Sequence, residues 1–179
     1  MRSLLKRTLV AGMLAVMGLI ASSAYAGYGV GTPLSDQDVA PWNIDIAPDG
    51  RGLPAGSGDV ATGARVFAAQ CAACHGAHGE GLLGDALVGG RGTLASAKPK
   101  RTVGSYWPYA TTLFDYIRRA MPFTAPESLS ADDVYAVCAF LLNQNGIVPP
   151  DTRLDAHSLP AVKMPNRDGF VADPRPGRL

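Results

Sequence analysis

Charge is scarce in this chain of 179 residues: Asp, Glu, Lys and Arg make 17%, with 16 basic side chains against 15 acidic. Such low, balanced charge excludes a highly charged disordered segment and a heptad-built coiled coil. Internal repeats are lacking, so the 21 glycines and 14 prolines follow no collagen-type period. A second long apolar stretch is lacking too, which excludes a multi-span membrane protein. Cysteine stops at three, an odd count that cannot be closed by disulfides within one chain. What remains is one small domain.

The apolar run that is present lies at the N-terminus. Arg2, Lys6 and Arg7 precede Leu9 to Ala21, and Ala24-Tyr25-Ala26 fits a signal-peptidase site, so residues 1–26 are expected to be a signal peptide and the mature chain to start at Gly27. The run is shorter than the ~20 residues that span a bilayer, which favours cleavage over anchoring. Removing Arg2, Lys6 and Arg7 leaves 13 basic and 15 acidic side chains, a net −2. That balance removes the electrostatic basis for nucleic-acid binding.

Residues 27–58 read as an irregular arm, rich in Pro and Gly, with Trp42-Asn43-Ile44-Asp45-Ile46 as its apolar anchor and no helical period. From Asp59, a plausible cap, Val60, Gly63, Phe67, Cys71 and Cys74 recur at steps of three or four, so a helix is expected to end at the cysteines. Seven glycines follow between Gly76 and Gly92, where backbone can pass close to a flat ligand. Thr112 with Asp115 resembles a capping box ahead of Leu113, Phe114, Ile117 and Met121, with Pro122 ending the stripe. Ser130 with Asp133 resembles another, ahead of Val134, Val137, Cys138 and Leu141 on one helical face that stops before Gly146. The Pro-rich tail 147–179 is expected to wrap the domain without long helices.

Chemistry enters at Cys71-Ala72-Ala73-Cys74-His75. This C-x-x-C-H spacing is the signature of covalent c-type haem attachment: one helical turn presents two thiols to the two vinyl groups of a porphyrin and an imidazole to the iron. With three Cys and three His in the chain, chance would produce the pattern about once in 10³ such sequences. Competing readings are weaker. A thioredoxin-like pair needs a βαβ setting, and no strand–helix alternation is present. A zinc site of Cys71, Cys74, His75 and His78 would strain tetrahedral closure.

The other axial position has four candidates in the mature chain: Met121, Met164, His78 and His157. Met121 is favoured, because it leaves an apolar helix into a Pro-bounded loop with a further helix to pack behind it. Met164 requires the tail to fold across the haem face, His78 is too near His75 to reach the opposite side of a flat ring, and His157 or an open site completes the set. A Met thioether raises the potential and closes the iron to substrate, which points to electron transfer. Cys138 reads as a small apolar core residue. Phe67, Leu113, Phe114, Ile117, Val137 and Leu141 are the expected core.

Gly63-x-x-x-Phe67 before the attachment motif, Met121-Pro122 after it, and a last helix with Tyr135 and Phe140-Leu141 resemble a class I c-type cytochrome. The resemblance implies an all-α fold over 59–146, three main helices around one covalent haem c, with Gly63, Phe67 and Phe140 at the crossing of the first and last helices and His75 and Met121 as axial ligands. Longer runs, Trp42 to Pro54, Thr102 to Pro122 and Lys163 to Phe170, are similar to the cytochrome subunit of sulfite or sulfane dehydrogenases of the sulfur-oxidation (Sox) type. That similarity implies a periplasmic electron carrier, not an enzyme on its own, which takes electrons from a molybdenum-cofactor subunit and passes them to a downstream cytochrome or oxidase. It implies no nucleic-acid partner and no membrane span after signal cleavage. A carrier for another dehydrogenase, or a peroxidase-like or thiosulfate-processing haem enzyme with an open or Cys-ligated iron, are the rival functions.

Tyr106, Trp107 and Tyr109 form an aromatic group whose polar tips suit haem propionates, with Trp107 the favoured cofactor contact and Arg91 or Arg101 as charge partners; surface stacking is the bland alternative. Lys98, Lys100 and Arg101 make a basic run, read as a solvated loop or a steering patch. Asp45 and Asp49 read as turn formers. One departure stands out. Class I cytochromes commonly place a Pro soon after the motif, with a neighbouring carbonyl accepting from the proximal imidazole. No Pro lies between Gly76 and Lys98, so another carbonyl of the Gly-rich loop must orient His75.

Overall fold

The computed structural model describes residues 31–172; the expected signal peptide and the last prolines, Pro174 and Pro176, lie outside them. Two compact units are distinguished, Met1–Asn43 and Ile44–Leu179. In the first, α1 (Asp36–Val39) forms a single turn where the arm was expected to be irregular. Its cause is local: Ser35 Oγ accepts from the Asp38 N–H, and the Asp38 carboxylate accepts from the Ser35 N–H at 3.0 Å. A capping box suffices for four residues, with no apolar face needed.

In the second unit, β1 (Ser57–Asp59) leads into α2 (Val60–Gln70), then α3 (Ala72–His75), α4 (Ala110–Ala120), α5 (Ala131–Gln144) and β2 (Arg153–Asp155). The all-α expectation is therefore corrected by one small antiparallel pair, β1 with β2, in the register Ser57↔Asp155, Gly58↔Leu154 and Asp59↔Arg153. Three residues are too few to show period-2 alternation, so nothing in the local pattern announced them. Among the described residues no helix is long and apolar enough to cross a membrane.

Helix α2 starts where Asp59 accepts from the Thr62 N–H at 2.8 Å, and it buries Val60, Gly63 and Phe67. Helix α5 starts at Ser130, whose Oγ accepts from the Asp133 N–H at 3.1 Å. Val134 through Leu142 are all buried, so α5 is enclosed on every side rather than apolar on one face. The reason is its position, with α2, α4, β1 and β2 all packed around it. The crossing of α2 and α5 is as expected from Gly63, Phe67 and Phe140. A Cβ on Gly63 would run into the Ala136 carbonyl and stand 2.8 Å from Phe140 Cβ, and the Phe67 and Phe140 rings lie 5.1 Å apart. All six expected core residues are buried, and burying a side chain of that size contributes about 1.5–3 kcal/mol.

Thr112 and Asp115 do not cap α4. The helix begins earlier, at Ala110 after Tyr109, with no side-chain cap. Asp115 instead accepts from the Ile46 N–H at 3.1 Å and pairs with Arg119, which also reaches Asp45 at 3.0 Å. Residues 44–54 are tied down further by Thr111 Oγ1 donating to the Pro48 carbonyl and Tyr135 donating to the Pro54 carbonyl at 2.9 Å. Asp49 turns onto the Arg51 N–H at 3.0 Å. Within the tail, Leu154, Leu159 and Met164 enter the common core.

Candidate functional site

Helix α2 breaks at Cys71, whose φ of −123° takes the chain out of the helical region. The four-residue turn α3 resumes at Ala72, with the N–H groups of Cys74 and His75 both donating to the Cys71 carbonyl, at 3.1 and 3.0 Å. The sequence pattern ran one apolar stripe through both cysteines; the structure places Cys71 at the break, half-buried, and Cys74 one turn on and exposed. Neither is in a disulfide. Burial, and secondarily Cys74, pushes the Cys71 thiol up to about 11, so it is uncharged at neutral pH.

The Gly-rich loop folds back onto this turn. Gly81 N–H donates to the His75 carbonyl and Gly84 N–H to the Cys74 carbonyl, both at 2.8 Å. His75 Nδ1 lies 2.8 Å from the Asp85 carbonyl oxygen. A carbonyl carries no hydrogen, so the ring must donate from Nδ1, which leaves the Nε2 lone pair uncommitted. Asp85 thus provides the carbonyl that the missing Pro made necessary. Sequence reasoning could place that acceptor in the loop without naming it, because a backbone oxygen has no residue-type signal.

Met121 ends α4, its N–H donating to the Ile117 carbonyl at 3.0 Å. Cys71, Trp107 and Met121 are all half-buried against the same apolar core. Met164 is 3% exposed and packed within that core. His78 and His157 are both exposed, their backbone N–H groups donating to the Glu80 and Asp155 carboxylates. Cys138 is fully buried, and burial drives its thiol far above the ordinary range, which suits a core residue and not an iron ligand.

The aromatic residues ahead of α4 do not form one cluster. Trp107 meets Tyr116 edge-on at 5.7 Å, Tyr106 meets Phe170 at 5.2 Å, and Tyr109 lies beneath Arg167 at 4.4 Å. Arg101 lies over Tyr106 at 5.6 Å. Lys100 Nζ donates to the Val88 carbonyl at 3.1 Å, so one member of the basic run serves the loop itself. Among the described residues no three His, Cys, Asp or Glu side chains gather as a metal site, so Cys71, Cys74, His75 and His78 do not converge on a common centre. The donor set suits a haem instead: two unpaired thiols on one turn, followed by an imidazole with one nitrogen held and the other open. Leu82 and Leu83, in the same loop, stand well exposed.

Residues 58–141 match the family model of cytochrome c oxidase, cbb3-type, subunit III. Fold, attachment turn and family match define a c-type cytochrome, an electron-transfer haem protein whose cofactor is covalently bound haem c. The solved sulfane dehydrogenase SoxCD from Paracoccus pantotrophus contains a chain 46% identical in sequence, with a TM-score of 0.77, over 83% of this chain and 73% of that one. This protein belongs to the c-type cytochrome family and resembles the cytochrome subunit of that Sox complex. No curated protein matches it.

Proposed function

We propose that this protein is the periplasmic monohaem electron-transfer subunit of a Sox-type sulfite or sulfane dehydrogenase, exported by residues 1–26 and not catalytic by itself. In this reading a molybdenum-cofactor subunit oxidises the sulfur compound, and this chain passes the electrons singly to a downstream cytochrome or oxidase. The cytochrome domain spans 59–146, with its three longer helices around one haem, and the tail that follows packs on it through Leu154, Leu159 and Met164. The match with SoxCD over most of both chains supports the choice of partner.

Cys71 and Cys74 would form the two thioether links, and His75 Nε2 and Met121 sulfur would hold the iron. When bound, the haem supplies the one-electron ferric/ferrous couple. The chain's own residues do the rest. Asp85 fixes the His75 ring through its carbonyl, and the apolar core beneath Cys71, Trp107 and Met121 excludes water. Trp107 is the favoured propionate donor, half-buried against the same core as Cys71 and Met121. The single observation that carries the reading is the His75 Nδ1–Asp85 bond, which holds one imidazole nitrogen and frees the other. Met121 is supported over Met164 because the latter is already enclosed by the core.

The test is Met121→Ala against Met164→Ala in protein matured with haem. Loss of the weak long-wavelength ferric absorption of iron–thioether ligation in Met121→Ala alone is expected; its loss in Met164→Ala alone would reassign the ligand. Recovery of a molybdenum-containing subunit with the affinity-tagged protein from its native periplasm tests the partner.

A further inference from the structure

We propose that Gly84 is a positioning residue for the proximal histidine: its missing side chain is the space in which the His75 ring lies while Nδ1 bonds to Asp85. The inference rests on the haem-ligand reading of His75 and adds a residue to it. A Cβ built on Gly84 would stand 2.9 Å from His75 Cε1, 3.1 Å from Nδ1 and 3.4 Å from Nε2. The first distance is closer than real Cβ contacts come, so the ring would have to move.

The backbone at Gly84 does not itself call for glycine. Gly76, Gly79, Gly81, Gly89, Gly90 and Gly92 all have positive φ, where any side chain is strained, whereas Gly84 does not. The close approach to the ring is therefore what a side chain at this position would disturb. The loop cannot back away without cost, because Gly84 N–H is bonded to the Cys74 carbonyl and Gly81 N–H to that of His75. Displacing the imidazole would stretch the 2.8 Å contact to Asp85. A weaker Nδ1–H···O bond makes Nε2 a poorer electron donor, which destabilises ferric relative to ferrous iron and raises the reduction potential.

The experiment compares wild type, Gly84→Ala and Leu83→Ala, all matured with haem; Leu83 is 86% exposed and serves as the neighbouring control. Covalent haem is measured by mass, the potential by spectroelectrochemistry, and exchange of the His75 Nδ1–H by NMR. Gly84→Ala should raise the potential and speed that exchange several-fold, with Leu83→Ala like wild type. A potential and exchange rate in Gly84→Ala equal to those of Leu83→Ala would overturn the inference. Should Gly84→Ala yield no holoprotein, the wild type decides by cross-relaxation between His75 Hε1 and the Gly84 Hα protons: its presence supports the contact and its absence overturns it. Wild type lacking covalent haem would instead overturn the haem reading, and Gly84's role with it.

Discussion

Two glycines, Gly63 and Gly84, mark the contrast between the helix crossing and the attachment loop. At the crossing, Gly63 faces the carbonyl of Ala136 and Phe140 Cβ, deep among buried residues of α2 and α5. In the loop, Gly84 faces a half-buried imidazole, and the structure around it is held by backbone hydrogen bonds beside exposed leucines. The first region derives its rigidity from packing, where added volume has nowhere to go. The second derives it from a few directional bonds, where added volume moves one imidazole. A methyl group at the first position should therefore damage stability, and at the second chiefly the electronic properties of the iron.

The largest effect that would sharpen this contrast is Gly63→Ala. The substitution gains about 1 kcal/mol of helix propensity, yet the overpacking against Ala136 and Phe140 costs about 3 kcal/mol or more, so a net loss of denaturant stability in the holoprotein is expected. Equal stability to wild type would show the crossing to be slack. Asp115→Ala should come next. It strands the Ile46 N–H and leaves Arg119 paired with Asp45 alone, and loss of a buried partner costs about 1–3 kcal/mol. A chemical melt would read that loss, with accelerated amide exchange confined to residues around Ile46.

Ser130→Ala and Thr112→Ala form a smaller, paired test, since both residues look like caps in the sequence. Only Ser130 accepts a capping N–H, so its removal should cost about 1 kcal/mol, while Thr112→Ala should stay within about 0.5 kcal/mol. Equal costs in thermal melts would refute the assigned start of α4. Smallest is a pH effect at Asp59. The Thr62 N–H, with help from the Thr62 side chain and Arg153, holds its carboxyl below the ordinary 3.8. A lowered folded-state value means the contribution is present above 3.8 and is lost as pH falls through the folded value. Asp59→Asn retains an acceptor for the cap and should flatten the stability profile at acid pH, measured by melts from pH 5 down to 2.

Much of both regions was legible beforehand, for reasons that differ. The helical period supplied the six expected core residues, all of them buried, while the crossing at Gly63, Phe67 and Phe140 was implied by the resemblance to class I cytochromes. The attachment motif could be read because the spacing of two thiols and an imidazole is local. Capping proved half legible. Ser130 and Thr112 carry the same local signature, yet α4 starts at Ala110 and Asp115 turns to Ile46, so the second lies within the first turn and not at the cap. The β1–β2 pair was not legible, because Ser57 pairs with Asp155 far along the chain and three residues carry no alternation.

What the residue order determined by itself is the chemistry that short-range spacing can hold: the thiol–thiol–imidazole turn, the caps at Asp59 and Ser130, and the apolar period of the main helices. What only the tertiary structure decided is which distant groups serve them. The Asp85 carbonyl orients His75, Asp115 receives the Ile46 N–H, Met164 is taken into the core, and Gly84 rather than its positive-φ neighbours meets the ring. Backbone carbonyls and empty space leave no mark in residue type, so their roles come into being only when the chain is folded around them.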